Sequence, residues 1–196
     1  MKVLVACEFS GVVRNAFALL GHDVWSCDLL PTEIVGNHYQ GDIRDILYDG
    51  WDMMIAHPPC THLAVSGARY FKTKQVEQEE ALGFIKLLLD APIDMICLEN
   101  PVGIISTKIH KPDQIIQPWM FGEDASKKTC LWLKNLPLLK PTKVLVKDRY
   151  ANQTPTGQNN LAPSPNRWKE ISRTYQGIAD AMASQWGLNI TYMYTF

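Results

Sequence analysis

The sequence lacks any apolar run close to the roughly 20 residues that a membrane-spanning helix needs, and it has no repeat or low-complexity tract. Its first residues, MKVLVACEFSG, hold one Lys and a short apolar run. They lack the small-residue cleavage pattern of a signal peptide, so a buried first strand is the better interpretation. These absences predict a protein of the cytoplasm that makes no contact with a membrane.

An excess of positive charge is also missing, since 19 Lys and Arg residues stand against 20 Asp and Glu residues. A protein that binds nucleic acid often has a clear positive excess. Any nucleic-acid contact must therefore be local. Residues 127–173 hold most of the local excess of basic side chains, with only Asp148 and Glu170 as acids. A solvated basic face and a phosphate-binding surface are the two interpretations of this segment.

The five cysteines are an odd count and are widely spread, which argues against a disulfide framework. Cys7, Cys27, Cys97 and Cys130 lie in apolar, strand-like runs, as is typical of small buried residues in a reducing compartment. Cys60 is different because it follows two prolines and precedes a polar loop. It is therefore the one cysteine whose surroundings suggest a chemical role.

The 196 residues suffice for one domain, and strand-like and helix-like patterns alternate along them. This alternation predicts an α/β fold with a mostly parallel, doubly wound sheet in a single domain over residues 1–196. The last two predicted strands are candidates for antiparallel pairing. The predicted strands are residues 2–8, 23–28, 51–56, 94–98, 129–133 and 143–147, the predicted helices are 12–20, 75–89 and 173–186, and residues 150–168 are predicted to form a loop.

The polar residues that follow the predicted strands are candidate ligand-binding residues, since parallel sheets bind ligands beyond the carboxyl ends of their strands. Each also has a structural interpretation: Gly11 permits a tight turn, and Asp28 and Asp42 cap helices. Together, a glycine turn before a helix and two acids suited to ribose and adenine are typical of an adenosine-type cofactor site. A complete G-x-G-x-x-G pattern is absent, which disfavours NAD. The residues are Glu8-Phe9-Ser10-Gly11, Asp28, Asp42, Pro58-Pro59-Cys60 and Glu99-Asn100.

The order of these motifs resembles that of the cytosine-5 DNA methyltransferase family. In that family a Phe-x-Gly turn holds the cofactor, a Pro-Cys loop carries the nucleophile and a Glu-Asn pair follows the next strand. The chain is similar above all to the short phage-type members, and the resemblance covers nearly all of its length. It is carried by Phe9-Ser10-Gly11, Asp28, Asp42, Pro58-Pro59-Cys60 with residues 61–67, Glu99-Asn100-Pro101, and residues 117–122, 129–132, 164–168 and 173–175.

The resemblance implies a Rossmann-like methyltransferase fold, S-adenosyl-L-methionine as the cofactor, DNA as the substrate, and the cytoplasm of a phage host cell as the location. Cys60 would attack C6 of cytosine as a thiolate. Glu99 would hydrogen-bond or protonate N3, and Asn100 would hold the Cys60 loop. The implied residues are Cys60, Glu99, Asn100 and Lys127 for catalysis, Glu8, Phe9, Ser10, Gly11, Asp28, Asp42, Ile43 and Pro58 for the cofactor, and Ser66, Lys128, Arg167, Trp168, Arg173 and Tyr175 for nucleic acid.

From the residues alone, Cys60 has three other interpretations. It is an inert structural thiol, a hydrolase nucleophile paired with His57 or His62, or a metal ligand in a cluster with both histidines. Three metal ligands within six residues are cramped, and no second cluster of Cys or His completes the site. We therefore predict no bound metal.

Departures from the family bear on DNA recognition. At the positions of the family's Gln-x-Arg-x-Arg segment the chain has Ala125, Lys127 and Thr129, so only Lys127 is basic. Only residues 134–172, a reduced loop region, stand where the family has a target-recognition domain. Asp28 stands where Glu is common, which leaves the acceptor chemistry unchanged.

These departures leave several alternatives open. The DNA substrate is single-stranded or is recognised with low sequence specificity, or a homodimer completes the DNA surface. The same chemistry on RNA or on a pyrimidine nucleotide is another alternative. A catalytically silent protein that binds the cofactor or nucleic acid as a decoy or regulator is the alternative from a different functional class.

Overall fold

The computed structural model of the chain describes residues 1–65 and 73–188. Within these ranges no helix is both long and apolar enough to span a membrane. The strands are β1 (Lys2–Ala6), β2 (Asp23–Asp28), β3 (His38–Gln40), β4 (Met53–Ala56), β5 (Met95–Pro101), β6 (Gln114–Ile116) and β7 (Thr129–Lys134). The helices are α1 (Val12–Ala18), α2 (Gln75–Leu89), α3 (Ile105–Lys108), α4 (Arg167–Ser172) and α5 (Gln176–Met182), which continues into a π-helical turn over Ala183–Gly187.

These strands form one sheet in the order β3-β2-β1-β4-β5-β7-β6. Strands β1 to β5 pair in parallel, whereas β7 pairs antiparallel with both β5 and β6. The predicted α/β class is confirmed, and the sheet is mixed because β7 runs against its neighbours. The described residues between β6 and β7 hold only a 3₁₀ turn (Pro118–Met120), so the chain re-enters the sheet where β6 leaves it, with Thr129 opposite Ile116.

Apolar side chains alternate between the two faces of the central strand β1. Val3 and Val5 pack with α1 and α5, and Leu4 and Ala6 pack with α2. All four are fully buried, and burying a valine or leucine side chain stabilises a fold by about 1.5–3 kcal/mol. Helices therefore cover both faces, and the polar residues that follow the strands gather at one edge of the sheet.

Several predicted elements have the bounds that the sequence indicated, including β2 and α2. The predicted strand over residues 143–147 is wrong. Lys143 makes only an isolated bridge to Phe121, and the side chains of Val144 and Val146 are exposed. The alternating pattern of this segment finds no sheet against which its apolar face could be buried.

The predicted closing helix over residues 173–186 is shorter than expected. Arg173 and Tyr175 have extended backbones, so α5 begins only at Gln176. Helix α4 instead overlaps the end of the segment predicted as a loop. Strands β3 and β6 are not predicted because three residues are too few to carry a period-two pattern.

Candidate functional site

The ends of β4 and β5 bring the Pro-Cys loop and the Glu-Asn pair together. Ala56, the last residue of β4, lies opposite Leu98 of β5, so the loop that follows β4 is a neighbour of Glu99 and Asn100, which end β5 together with Pro101. The Asn100 side chain is buried, and its Nδ2 donates a hydrogen bond to the carbonyl of Pro58 at 2.8 Å. This bond ties the loop that carries Cys60 to β5.

Cys60 is partly exposed and begins a tight turn. Its backbone carbonyl accepts hydrogen bonds from the amides of Leu63 and Ala64. Burial raises the pKa of its thiol above the ordinary value, the negative charge of Glu99 raises it further, and the positive charge of Lys127 opposes both. The thiol is therefore protonated at neutral pH. Because the thiolate is the nucleophile, attack by Cys60 requires a group that takes this proton.

Glu99 forms a largely buried pair with His57. The Glu99 Oε2 and His57 Nδ1 atoms are 3.1 Å apart, and the two side chains are 12% and 8% exposed. Burial by itself would raise the pKa of Glu99, but hydrogen bonds from His57 and Thr129 and the charge of Lys127 outweigh it. The net pKa lies below the ordinary value, so Glu99 is ionised at neutral pH.

Lys127 connects this site to the C-terminal part of the chain. Its Nζ donates a hydrogen bond to the carbonyl of Ile171, at the end of α4, at 2.9 Å. Its backbone amide donates to Oε1 of the buried Gln117 at 2.9 Å. The amine is thus held where its charge acts on both Cys60 and Glu99.

The turn after β1 is organised by Glu8, whose side chain is buried. Its carboxylate accepts hydrogen bonds from the amides of Val13 at 2.7 Å and Arg14 at 3.2 Å, and from the Ser10 hydroxyl at 3.2 Å. These amides belong to the first turn of α1, which otherwise lacks acceptors. Glu8 therefore caps the helix, although the sequence places it in the cofactor site.

Gly11 is required by the close approach of a protein side chain. It has φ of 74°, in the left-handed region that glycine enters freely. A Cβ atom at this position would lie 2.6 Å from Nη2 of Arg14. The Arg14 guanidinium is buried and donates to the Ser26 and Thr32 hydroxyls. The sequence pattern gives no sign of this buried arginine.

A cavity of about 260 Å³ lies at the carboxyl ends of β1 and β2. Burial raises the pKa of Asp28 in its wall, and Oδ1 of that residue accepts from the Leu30 amide at 2.9 Å. A hydrogen bond from the Arg44 amide lowers the pKa of Asp42, whose carboxylate also pairs with the Arg44 guanidinium at 2.8 Å. The lining residues are Cys7, Cys27, Asp28, Leu29, Gly41, Asp42, Ile43, Arg44, Pro59 and Phe84.

This cavity brings together three of the residues predicted to hold the cofactor, Asp28, Asp42 and Ile43. Pro59 is part of its wall, so the cavity adjoins the Cys60 loop. Its volume lies just below the roughly 300–1,000 Å³ of ligand pockets in general. Phe84 of α2 is a lining residue that the sequence pattern assigns only to the core face of a helix.

The residues predicted to bind nucleic acid differ in what they contact. Trp168 is exposed, and its ring centroid lies 6.0 Å from that of Phe9 in the turn after β1. Both carboxylate oxygens of Glu33 lie 2.7 Å from Nη2 of Arg173. Tyr175 packs against the core, and burial raises its pKa. Lys128 is exposed, Arg167 Nε donates to the carbonyl of Leu161 at 3.0 Å, and Ser66 lies outside the described residues.

Within residues 1–65 and 73–188, no group of three or more His, Cys, Asp or Glu side chains is placed to hold a metal ion. The backbone carbonyl of His62 accepts a hydrogen bond from Gln78 Nε2 at 3.1 Å. His57, by contrast, is paired with Glu99, a contact that the sequence does not predict. Its one signal is that it directly follows β4, in line with the other polar residues at strand ends.

No protein-family model and no curated protein sequence matches this chain. Among solved structures, the fold is similar to that of a candidate DNA modification methyltransferase encoded within an E. coli prophage, with a TM-score of 0.48 and 15% sequence identity. The match covers 74% of this chain and 51% of the other, so this chain spans about half of that protein's length. A likeness at this TM-score carries no argument about this chain.

Proposed function

We propose that this protein is a single-domain methyltransferase that moves a methyl group from S-adenosyl-L-methionine to C5 of cytosine in DNA, by way of a covalent bond between Cys60 and C6. The observation that carries the proposal is the bond from Asn100 Nδ2 to the Pro58 carbonyl, which sets the Cys60 loop beside the buried Glu99. A thiol and a carboxylate on neighbouring strand ends match the needs of this chemistry, a nucleophile for C6 and a proton carrier for N3.

The covalent step is needed because C5 of cytosine is too weak a nucleophile to accept a methyl group unaided. When the sulfur of Cys60 bonds to C6, the C5=C6 π pair moves to C4–C5, and the C4=N3 pair moves to N3, which takes up a proton. C5 then has enamine character and can form the new carbon–carbon bond, with S-adenosyl-L-homocysteine as the leaving group. H5 passes to a solvent base as Cys60 is expelled, and loss of the N3 proton restores the aromatic ring.

The cavity beside the Cys60 loop is the proposed cofactor site. Asp28 and Asp42 provide carboxylate acceptors for ribose and adenine groups, and Phe84 provides an apolar ring. S-adenosyl-L-methionine would supply an electrophilic methyl group and a positive sulfonium charge near the thiol. A ligand in this cavity would contact Pro59, the residue that precedes Cys60 in the sequence.

The proposed substrate is DNA read with little sequence specificity. A cytosine must leave the base stack to reach a thiol at a strand end, and a single strand meets this requirement at the lowest cost. The exposed Trp168 and Lys128 offer a ring for stacking and a charge for phosphate. The reduced region over residues 134–172 offers little surface for reading base edges.

The test is transfer of isotope from methyl-labelled S-adenosyl-L-methionine, followed by mass spectrometry of the nucleosides. The substrates are duplex DNA, single-stranded DNA, RNA and dCMP, each with the wild type and with Cys60→Ala. The matched control is Cys97→Ala, which removes the same sulfur from a fully buried position on β5. We expect label in 5-methylcytosine of DNA with the wild type and the control, and none with Cys60→Ala.

Other outcomes point to the alternatives. Label in 5-methylcytosine of RNA or dCMP alone retains the chemistry and changes the substrate class. A protein that binds the cofactor and labels nothing favours a binding role, as a decoy or regulator, consistent with the protonated thiol of Cys60. Undiminished labelling by Cys60→Ala would overturn the proposed mechanism.

A further inference from the structure

His57 and Glu99 form a largely buried pair near the proposed nucleophile, since the charge of Glu99 acts on the Cys60 thiol. Glu99 is ionised and so can only accept a hydrogen bond, which means that His57 Nδ1 carries the proton of the 3.1 Å contact. The other ring nitrogen, Nε2, is buried and has no partner within the described part of the chain. A buried polar atom without a partner is uncommon in native proteins and requires an explanation.

Within the described part of the chain, few other charged groups surround this pair. The titratable groups that interact with Glu99 are Cys60 after β4, Cys97 on β5, Cys130 on β7 and Lys127 ahead of β7. The three thiols have raised pKa values and are neutral near pH 7. Among these groups Lys127 is the only fixed cation, and its Nζ is bonded to the Ile171 carbonyl.

The proposed reaction places a demand on Glu99 that an ionised carboxylate does not meet. As sulfur adds to C6, N3 of cytosine must gain a proton, and Glu99 has none to give. At the same time Cys60 must lose one. Both requirements are met within the site if a group beside Glu99 takes up the proton from Cys60 and passes another proton to Glu99.

We propose that His57 is the positioning residue that supplies Glu99 with the proton destined for N3, an inference that rests on the methyl transfer proposed above. Nε2 makes no direct hydrogen bond to Cys60 within the described residues, so the proton that Cys60 releases reaches Nε2 through a water molecule that enters with the substrate, and the Nδ1 proton moves to Oε2 of Glu99. Glu99 then gives a proton to N3 as the sulfur–carbon bond forms. When Cys60 leaves the methylated base, N3 returns its proton to Glu99, and the steps run in reverse. The relay returns to its starting state, and the one proton released overall is H5, which passes to solvent.

The test compares His57→Asn with the wild type in the labelling assay. The amide nitrogen of asparagine occupies nearly the place of Nδ1, so it still donates to Glu99 but cannot release a proton. We expect kcat to fall by about 100-fold, the lower end of what acid–base groups contribute. KM and cofactor affinity stay within about threefold of the wild type, and the pH dependence of kcat changes because the pair no longer holds an exchangeable proton.

The outcomes separate this inference from the proposed function. If the wild type labels DNA and His57→Asn does so equally well with the same pH profile, His57 has only a structural role, and the inference is overturned. If the wild type labels no substrate, both proposals fail together. Histidine ring ¹⁵N shifts of the wild type provide a check that does not depend on folding of the variant, because an unprotonated Nδ1 in the free protein contradicts the inference.

Discussion

Two regions at the carboxyl ends of the strands differ in whether their buried polar atoms have hydrogen-bond partners. After β1, the Glu8 carboxylate accepts from two backbone amides and from the Ser10 hydroxyl. After β4 and near the end of β5, His57 Nε2 and Asn100 Oδ1 are buried with no partner within the described residues. Because native proteins pair nearly all such atoms, the first region is completed by the protein itself, and the second is open to a ligand.

The difference separates structural from chemical roles among residues that look alike in the sequence. Both regions present an acid at the end of an apolar run of sequence, Glu8 shortly after β1 and Glu99 among the last three residues of β5. The carboxylate of Glu8 accepts hydrogen bonds from backbone amides in the first turn of α1. The carboxylate of Glu99 accepts from side chains instead, and its charge acts on the protonated thiol of Cys60. Variants in the first region should therefore change stability, and variants in the second should change activity.

The largest expected effect comes from Asn100→Ala. Loss of the bond to Pro58 frees the Cys60 loop, and a displacement of about 1 Å at a reacting group costs roughly 100-fold in rate. The free energy of unfolding should fall by only about 1–2 kcal/mol. Methyl transfer and urea unfolding measure the two quantities, and Asn160→Ala, which breaks a bond to the Ala151 carbonyl, is the control. Normal activity in Asn100→Ala would break the comparison.

A smaller effect is expected from Glu8→Ala. Two amides of α1 lose their acceptor, which should lower the free energy of unfolding by about 2 kcal/mol. Affinity for S-adenosyl-L-methionine, measured calorimetrically on the folded fraction, should change little. Unchanged stability together with lost cofactor binding would return Glu8 to the cofactor site, where the sequence resemblance places it.

The smallest effect concerns the pH dependence of stability through Glu99. Its pKa is lowered in the folded protein, so ionisation stabilises the fold above the unfolded value of about 4.3. That stabilisation is lost as the pH falls through the lower folded value. We therefore expect the stability advantage of the wild type over Glu99→Gln to be constant from pH 7 to about pH 5 and to shrink below about pH 4. A difference that grows with acidity would contradict the assigned charge state.

Much of the fold follows from local sequence patterns. The apolar run of β1 and the helical spacing of α2 are strong signals because tertiary contacts reinforce them. The strand over residues 143–147 fails since its valines have the right alternation but no sheet to pack on. The antiparallel pairing of β7 confirms the prediction for residues 129–133, whereas its partner β6 has only three residues and carries no local pattern.

The site is predictable only where a residue's role follows from its place in the chain. Cys60, Glu99 and Asn100 could be selected because they follow the predicted strands 51–56 and 94–98, although β5 extends through Glu99 and Asn100 to Pro101. The role of His57 depends on a contact across 42 positions of sequence, and that of Glu8 depends on how α1 begins. Tertiary packing decides which partner a buried polar atom has. The sequence therefore identifies candidate residues but does not distinguish a helix-capping residue from a catalytic one.

The most direct test of the site around Cys60 and Glu99 is covalent trapping. The protein is incubated with S-adenosyl-L-methionine and single-stranded DNA that contains 5-fluorocytosine. Fluorine replaces H5, the atom whose loss from C5 normally allows Cys60 to leave. The bond between the sulfur of Cys60 and C6 should therefore persist. We predict a covalent complex by intact-mass spectrometry, with the modified peptide containing Cys60, and none with Cys60→Ala. A wild-type protein that binds both ligands yet forms no complex, or a complex that survives Cys60→Ala, would contradict the account.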